Sequence, residues 1–312
     1  MPICSPLSAT RRFRFALACR VAALARSLAL LLCLSVTHAL HAAPLSIAIV
    51  HGEEREVYHT FETVLRTDLA GREGVKLLSA DAPLQDADLV VAVGGKAAST
   101  VSGAGIPTLH VMTSRSTLEG QGRTASGKNA AIYMEQPVSR QFDLLRAALP
   151  RARSIGVLVS SPAEEFADLR RLAEMAGFSL HVRIVAESSG LAEGLTEVLA
   201  ISDVLLVLPD AAIYRADTIR NILLATYRKQ VPMIGLSQSY VRAGALCAVY
   251  STPAQIASQA SAAIVRYLQT GRLPEDSYPH DFEVAVNTQV ARSLGLTIRS
   301  AQQLREEIGR KP

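Results

Sequence analysis

Tryptophan is absent from this chain, and aromatic residues make up only 5% of its 312 positions. A surface that stacks nucleic-acid bases needs aromatic faces, so that class loses its first support. Acidic residues are missing from residues 1–43, which hold Arg11, Arg12, Arg14, Arg20 and Arg26. Without those five arginines, 27 basic residues face 28 acidic ones. No basic patch is left, and no nucleic acid is expected as a partner. Cysteine is scarce as well. Cys4, Cys19 and Cys33 lie in the same N-terminal stretch, and Cys247 alone remains. An internal disulfide beyond residue 43 is therefore excluded.

The chemistry of catalysis is also thin. His51, His59, His110, His181 and His280 follow residue 43 without the spacing of a metal site, so no metal is expected. Gly94-Gly95-Lys96 lacks the earlier glycine of a phosphate loop, where Val90 stands, and the hydroxyl after the lysine, where Ala97 stands. Gly235-Leu-Ser-Gln-Ser239 lacks the closing glycine of a nucleophile elbow. No nucleophile is found with a base, so neither an enzyme nor a cofactor is expected.

What is present begins with an address. The arginine-rich stretch precedes a short apolar core, Ser27–Val36, and a small-residue run ending Ala42-Ala43 before Pro44. That order is a secretory signal, and the core is far short of the ~20 residues that span a bilayer. Residues 1–43 are read as a signal peptide cleaved after Ala42 or Ala43, and the remainder as periplasmic.

From Leu45 onward, short apolar runs alternate with helical patterns. Leu45–Val50 reads as a strand, a helix with Phe61, Val64, Leu65 and Leu69 follows, and Val75–Leu78 and Asp88–Val93 are further strands. Ile106–Met112 closes this set. The order then recurs: Ser154–Val159, a helix over 163–176, Ser179–Val185, Val204–Leu208, a helix from about Ala216 to Gln230, and Val231–Leu236. Alternating βα units imply parallel sheets with helices on both faces. The fold class is α/β, with two Rossmann-like lobes joined by a hinge. The first lobe is expected to hold 44–116 with about 240–277, and the second about 117–239 with 278–312.

Open α/β sheets bind ligands at the carboxyl ends of their strands. In the first lobe these ends are His51-Gly52-Glu53, Gly94-Gly95-Lys96 and Thr113-Ser114. In the second they are Ser160-Ser161, Pro209-Asp210 and Ser237-Gln238. Backbone N–H groups at such turns suit a carboxylate, and Asp210 can face an ammonium or cap the helix that follows. A zwitterion fits both charges.

Several segments resemble a known family. Val207-Leu-Pro-Asp210, Val231-Pro-Met-Ile-Gly235, Val241-Arg-Ala-Gly-Ala-Leu246, Phe282-Glu-Val-Ala-Val-Asn287 and Ala291-Arg-Ser-Leu-Gly-Leu296 look like ABC-transporter substrate-binding proteins of the tryptophan/tyrosine-binding type. Leu149-Pro150 before Ser154-Ile-Gly-Val-Leu158 agrees. The likeness covers most of 45–297. It implies the type I periplasmic binding fold, a cleft that closes on a small ligand such as an amino acid or related small acid, and a membrane ABC permease as partner. Three departures touch the ligand. Ala211 replaces a polar residue after Pro209-Asp210, Lys96 follows the first glycine turn, and Ser160-Ser-Pro-Ala-Glu164 replaces an Asn-Pro-Ser-Glu type turn. They leave a second expectation open, a periplasmic sensor or accessory module that contacts a receptor or kinase.

Overall fold

The computed structural model describes residues 43–123, 128–160, 165–186 and 190–309. Residues 1–42 of the expected signal peptide and Ser161 lie outside these.

Two sheets carry the molecule. The first contains β1 (Leu45–His51), β2 (Val75–Leu77), β3 (Leu89–Val93), β4 (Thr108–Thr113) and β5 (Asn129–Tyr133), in the order β2-β1-β3-β4-β5. All four pairings are parallel. The second contains β6 (Ser154–Val159), β7 (Ser179–Ile184), β8 (Val204–Leu206), β9 (Met233–Gly235), β10 (Cys247–Tyr250) and β11 (Glu283–Val286). Its order is β11-β10-β9-β8-β6-β7, parallel throughout except for β11 against β10. Read from its β7 edge, the second sheet repeats the first strand for strand and adds β11.

The helices bury one stripe each. In α1 (Glu56–Leu69), Tyr58, Phe61, Leu65 and Leu69 are buried, the 3–4 spacing of a core-facing face. The first sheet also carries α2 (Gly95–Val101) and α3 (Arg115–Gly120). The second has α4 (Val138–Ala148), α5 (Glu165–Met175), α6 (Leu191–Ala200), α7 (Ile219–Arg228) and α8 (Gln238–Ala243). The long α9 (Pro253–Thr270) starts with a capping box between Thr252 and Gln255 and stops at Gly271 in the left-handed region. It packs on α1 in the first lobe. Two short helices, α10 (Thr288–Ser293) and α11 (Ala301–Gly309), finish the second lobe.

Two segments lie elsewhere than expected. β5, within 117–239, pairs with β4 and belongs to the first sheet. β10, within 240–277, pairs with β9 and belongs to the second. In each case backbone pairing adds one more strand to a sheet before the chain crosses, and an apolar run does not name its neighbour.

The chain changes lobes three times. It leaves the carboxyl end of β5 for α4 and the carboxyl end of β10 for α9, and returns through 277–282 to β11. The crossings are tied together. Gln136 Nε2 donates to Ser251 Oγ at 2.8 Å, and Ser251 Oγ donates to the Asp281 carbonyl at 2.5 Å. Arg140 donates to Gln136 Oε1 and to the Pro279 carbonyl. Gln136 is buried, so these bonds satisfy an amide that would otherwise be costly to bury. Because both outward crossings leave from carboxyl ends, the carboxyl ends of the two sheets face the hinge.

One backbone feature interrupts β4. Met112 has φ of 55°, a left-handed conformation in a strand, worth about 1–2 kcal/mol of strain for a residue with a side chain. The β4–β5 register shifts there, from Val111 opposite Ile132 to Thr113 opposite Tyr133. This is a β-bulge.

Candidate functional site

The strand tips form two walls. In the first lobe, the turn after β1 meets the start of α2 at van der Waals range. A Cβ on Gly52 would lie 2.2 Å from Lys96 Cβ and 2.5 Å from the Ala97 nitrogen. Gly94, at φ of 87°, leaves room for the Tyr58 hydroxyl, which a Cβ would approach to 2.5 Å. These two glycines let β1, β3 and α1 converge.

Charge on this wall is paired within it. Glu53 contacts Arg55 at 2.9 Å and Lys96 at 3.4 Å. Burial raises the Tyr58 phenol above its usual range, and a hydrogen bond with Glu53 adds to the effect. His51 Nε2 lies 2.6 Å from Glu62, whose other oxygen accepts from Arg66 at 2.6 Å. Burial works against the Glu62 carboxylate, yet the bonds from Arg66 and His51 hold its pKa below the usual value. At the end of β4, Ser114 caps α3 by accepting from the Thr117 nitrogen at 3.2 Å. Its hydroxyl is spent largely on that role. Thr113 Oγ1 stands 3.5 Å from where a Gly95 Cβ would be. His51, Glu53, Gly94, Gly95, Lys96, Thr113 and Ser114 therefore fall into one wall.

The second wall works differently. Asp210 Oδ2 accepts from the Ser160 nitrogen at 2.7 Å, and Oδ1 accepts from Ala212 and Ile213 nitrogens at 3.0 and 3.2 Å. It caps the turn after β8 and ties it to the end of β6; the helix cap expected as an alternative does not form, because α7 begins at Ile219 with Thr218 as its N-cap. Three of the roughly four lone-pair sites of a carboxylate are taken. Ser237 and Gln238 begin α8, where a simple strand end was expected; Ser237 makes no side-chain cap. Gln238 Oε1 accepts from Arg242. Gly235 is pressed by Tyr240, whose Cβ a side chain there would approach to 2.5 Å. Among the described residues, no hydrogen bond or ion pair joins the two walls.

Sequence reasoning missed Tyr58, Tyr240 and the hinge residues Gln136 and Ser251. They lie in helices or crossings and enter the site only by packing. A half-buried polar cluster stands behind β4 and β5. Asp276 accepts from the Ala131 nitrogen, the Tyr133 hydroxyl and Arg123. His110 lies in β4 with its imidazole pushed down to about 4, chiefly by burial and then by Arg123, against a raising effect from Asp276. Among the described residues, no cluster of three His, Cys, Asp or Glu could hold a metal, and no helix is long and apolar enough to cross a membrane.

The geometry can be set beside known proteins. The model of the ABC transporter substrate binding protein family matches residues 80–305. The chain belongs to this family. Membership carries a small-molecule ligand and a membrane transporter as partner. A comparison with curated protein sequences gives no match. Among solved structures, the chain is similar to an ABC domain from Streptococcus pneumonia in complex with L-Trp, at 18% identity and a TM-score of 0.60, covering 84% of this chain and 98% of that one. It is similar also to a ligand-free, open substrate binding protein with adhesive properties from Clostridium difficile, at 18% identity and a TM-score of 0.63, covering 82% and 96%. The same two-lobe fold is common to all three.

Proposed function

We propose that this chain is an exported solute-binding protein that captures an amino acid or related small acid between its lobes and presents it to an ABC permease. The observation that carries the reading is the placement of polar strand tips at the carboxyl ends of two parallel sheets that face one hinge. A ligand bridging both walls favours the closed arrangement by the difference in its contacts with the two states. Residues 1–43 are its export signal, and the periplasm its place of work.

The chemistry of the walls supports a zwitterion. Lys96 and the Gly94-Gly95 turn offer the carboxylate side. Asp210 offers the ammonium side with the lone pair that its three backbone bonds leave over. The L-Trp complex of the Streptococcus neighbour makes L-tryptophan the first probe. Isothermal titration of the purified chain against the twenty amino acids and small dicarboxylic acids should give saturable binding to at least one of them. A decrease in radius of gyration on binding, read by solution scattering, should accompany it. Flat titrations throughout, together with stable capture by a receptor or kinase ectodomain, would sink the reading in favour of a sensor or accessory module.

A further inference from the structure

The bulge in β4 has a chemical result at the first wall. In a regular strand, alternate residues point to opposite faces. Leu109 and Val111 belong to the core under α1 and α9, and His110 points the other way, so Met112 should share the face of His110. Met112 lies with Val111 in the core under α1 and α9. The left-handed residue has inserted an extra step, and everything after it is turned over. Thr113, which simple alternation would bury under α1, is directed to the opposite face, beside Gly95 and Thr117. A one-residue slip exchanges the two faces of a strand in this way.

Three further observations lock the turned arrangement. The Thr113 carbonyl accepts from the Met134 nitrogen at 2.9 Å, where the first crossing begins. Gly94 donates its N–H to the Val111 carbonyl at 2.9 Å. Gly95 carries no side chain where a Cβ would press Thr117 at 3.0 Å. Among the described residues, none donates to or accepts from the Thr113 hydroxyl.

We propose that Met112 is a positioning residue of the ligand site. Its bulge places the Thr113 hydroxyl, instead of a methionine thioether, at the floor of the first wall, where it hydrogen-bonds a polar group of the ligand. This rests on the small-ligand reading above, and it adds a specificity: the ligand carries a carboxylate, hydroxyl or amine where the Gly95 turn meets β4. Strain concentrates at sites that need an otherwise unfavourable geometry, and bulges re-aim side chains next to such sites.

The test has a ligand-free arm. In the full chain with its four native cysteines replaced by alanine, Thr113→Cys and Met112→Cys are exposed separately to methyl methanethiosulfonate. Both side chains are covered, Thr113 at 3% and Met112 at 6% exposure. The expected result is that opening of the lobes admits the reagent to T113C in native buffer, while M112C, packed in the core under α1 and α9, is modified only after unfolding. The reverse pattern, or protection of both, would overturn the proposal. The second arm titrates L-tryptophan. Thr113→Val should weaken binding about tenfold, the worth of one hydrogen bond, while Thr113→Ser stays within about threefold, and both should melt within about 2 °C of the parent. Equal affinity of T113V and the parent would also overturn it. If the parent binds no L-tryptophan, the amino-acid reading fails at that ligand, and thiol accessibility still decides whether the bulge directs Thr113 to the site.

Discussion

The two sheets share one strand order, yet they finish the carboxyl ends of their strands in opposite ways. In the first lobe the wall is built by close packing against Gly52 and Gly94 and by a strained bulge at Met112. Its charges, Glu53 with Lys96 and Arg55, are side chains paired to side chains near the surface. In the second lobe Asp210 is bound to three backbone nitrogens. The first wall can exchange partners at little cost, because exposed ion pairs are worth about 0–1 kcal/mol. The second is preorganised, because moving Asp210 would leave backbone donors unmet. The same topology thus yields one wall with exchangeable charge pairs on a tightly packed backbone and one wall with a fixed charge.

Substitutions can break this contrast, and the largest effect falls on the tight side. Gly52→Ala forces a methyl group into Lys96 Cβ and the Ala97 backbone. It should cost about 3 kcal/mol in urea denaturation, at the upper end for overpacking. A loss below about 1 kcal/mol would mean that the first wall is looser than its contacts indicate.

Close behind is the pH response of the first sheet. His110 ordinarily titrates near 6.5 and is held at about 4 in the fold. The folded state keeps it neutral while the unfolded chain takes up a proton. Its contribution is therefore present above pH 6.5 and is lost as the pH falls toward 4. The gap is worth at most about 3 kcal/mol. Urea midpoints measured from pH 7 to pH 4 should fall, and His110→Gln should flatten the drop. An unchanged slope in the variant would assign the pH response to other groups.

At the wall with the fixed charge, Asp210→Ala should cost about 2 kcal/mol, as a lost cap with stranded donors does. Asp210→Asn, which keeps an acceptor oxygen, should recover more than half of that stability, while ligand affinity stays low if the charge meets an ammonium. Equal stability of the alanine variant and the parent would remove the distinction between the walls.

The smallest effect separates stability from function. Lys96→Ala should change stability by less than about 0.5 kcal/mol, since the lysine side chain is 70% exposed. Its ligand affinity should drop, and more so at low salt, where exposed charges are least screened. Affinity indifferent to both the substitution and the salt would take Lys96 out of the site.

Much of this architecture was legible in residue order. Buried strands such as Leu89–Val93 and Val204–Leu206 announce themselves as apolar runs because both of their faces are covered. The start and stop of α9 follow from Thr252, Pro253 and Gly271, whose backbone and side-chain chemistry acts locally. Polar tips at Gly94–Lys96 and Pro209–Asp210 were legible for the same reason. The membership of β5 and β10 was not, since sheet partners are chosen by distant segments. Asp210 was visible as a candidate, but its attachment to the Ser160 nitrogen was not, as that contact joins residues fifty positions apart.

The chain's own order of residues therefore determined the α/β class, the repeated βα plan and the chemical character of the strand ends. These depend on periodicity, capping and turn chemistry within a few residues. Tertiary structure alone decided which way those ends point. Methionine has no preference for the left-handed region, so nothing local marks Met112 as a bulge. It takes that conformation because β4, β5 and the first crossing hold it there, and with it they turn Thr113 from the core toward the first wall.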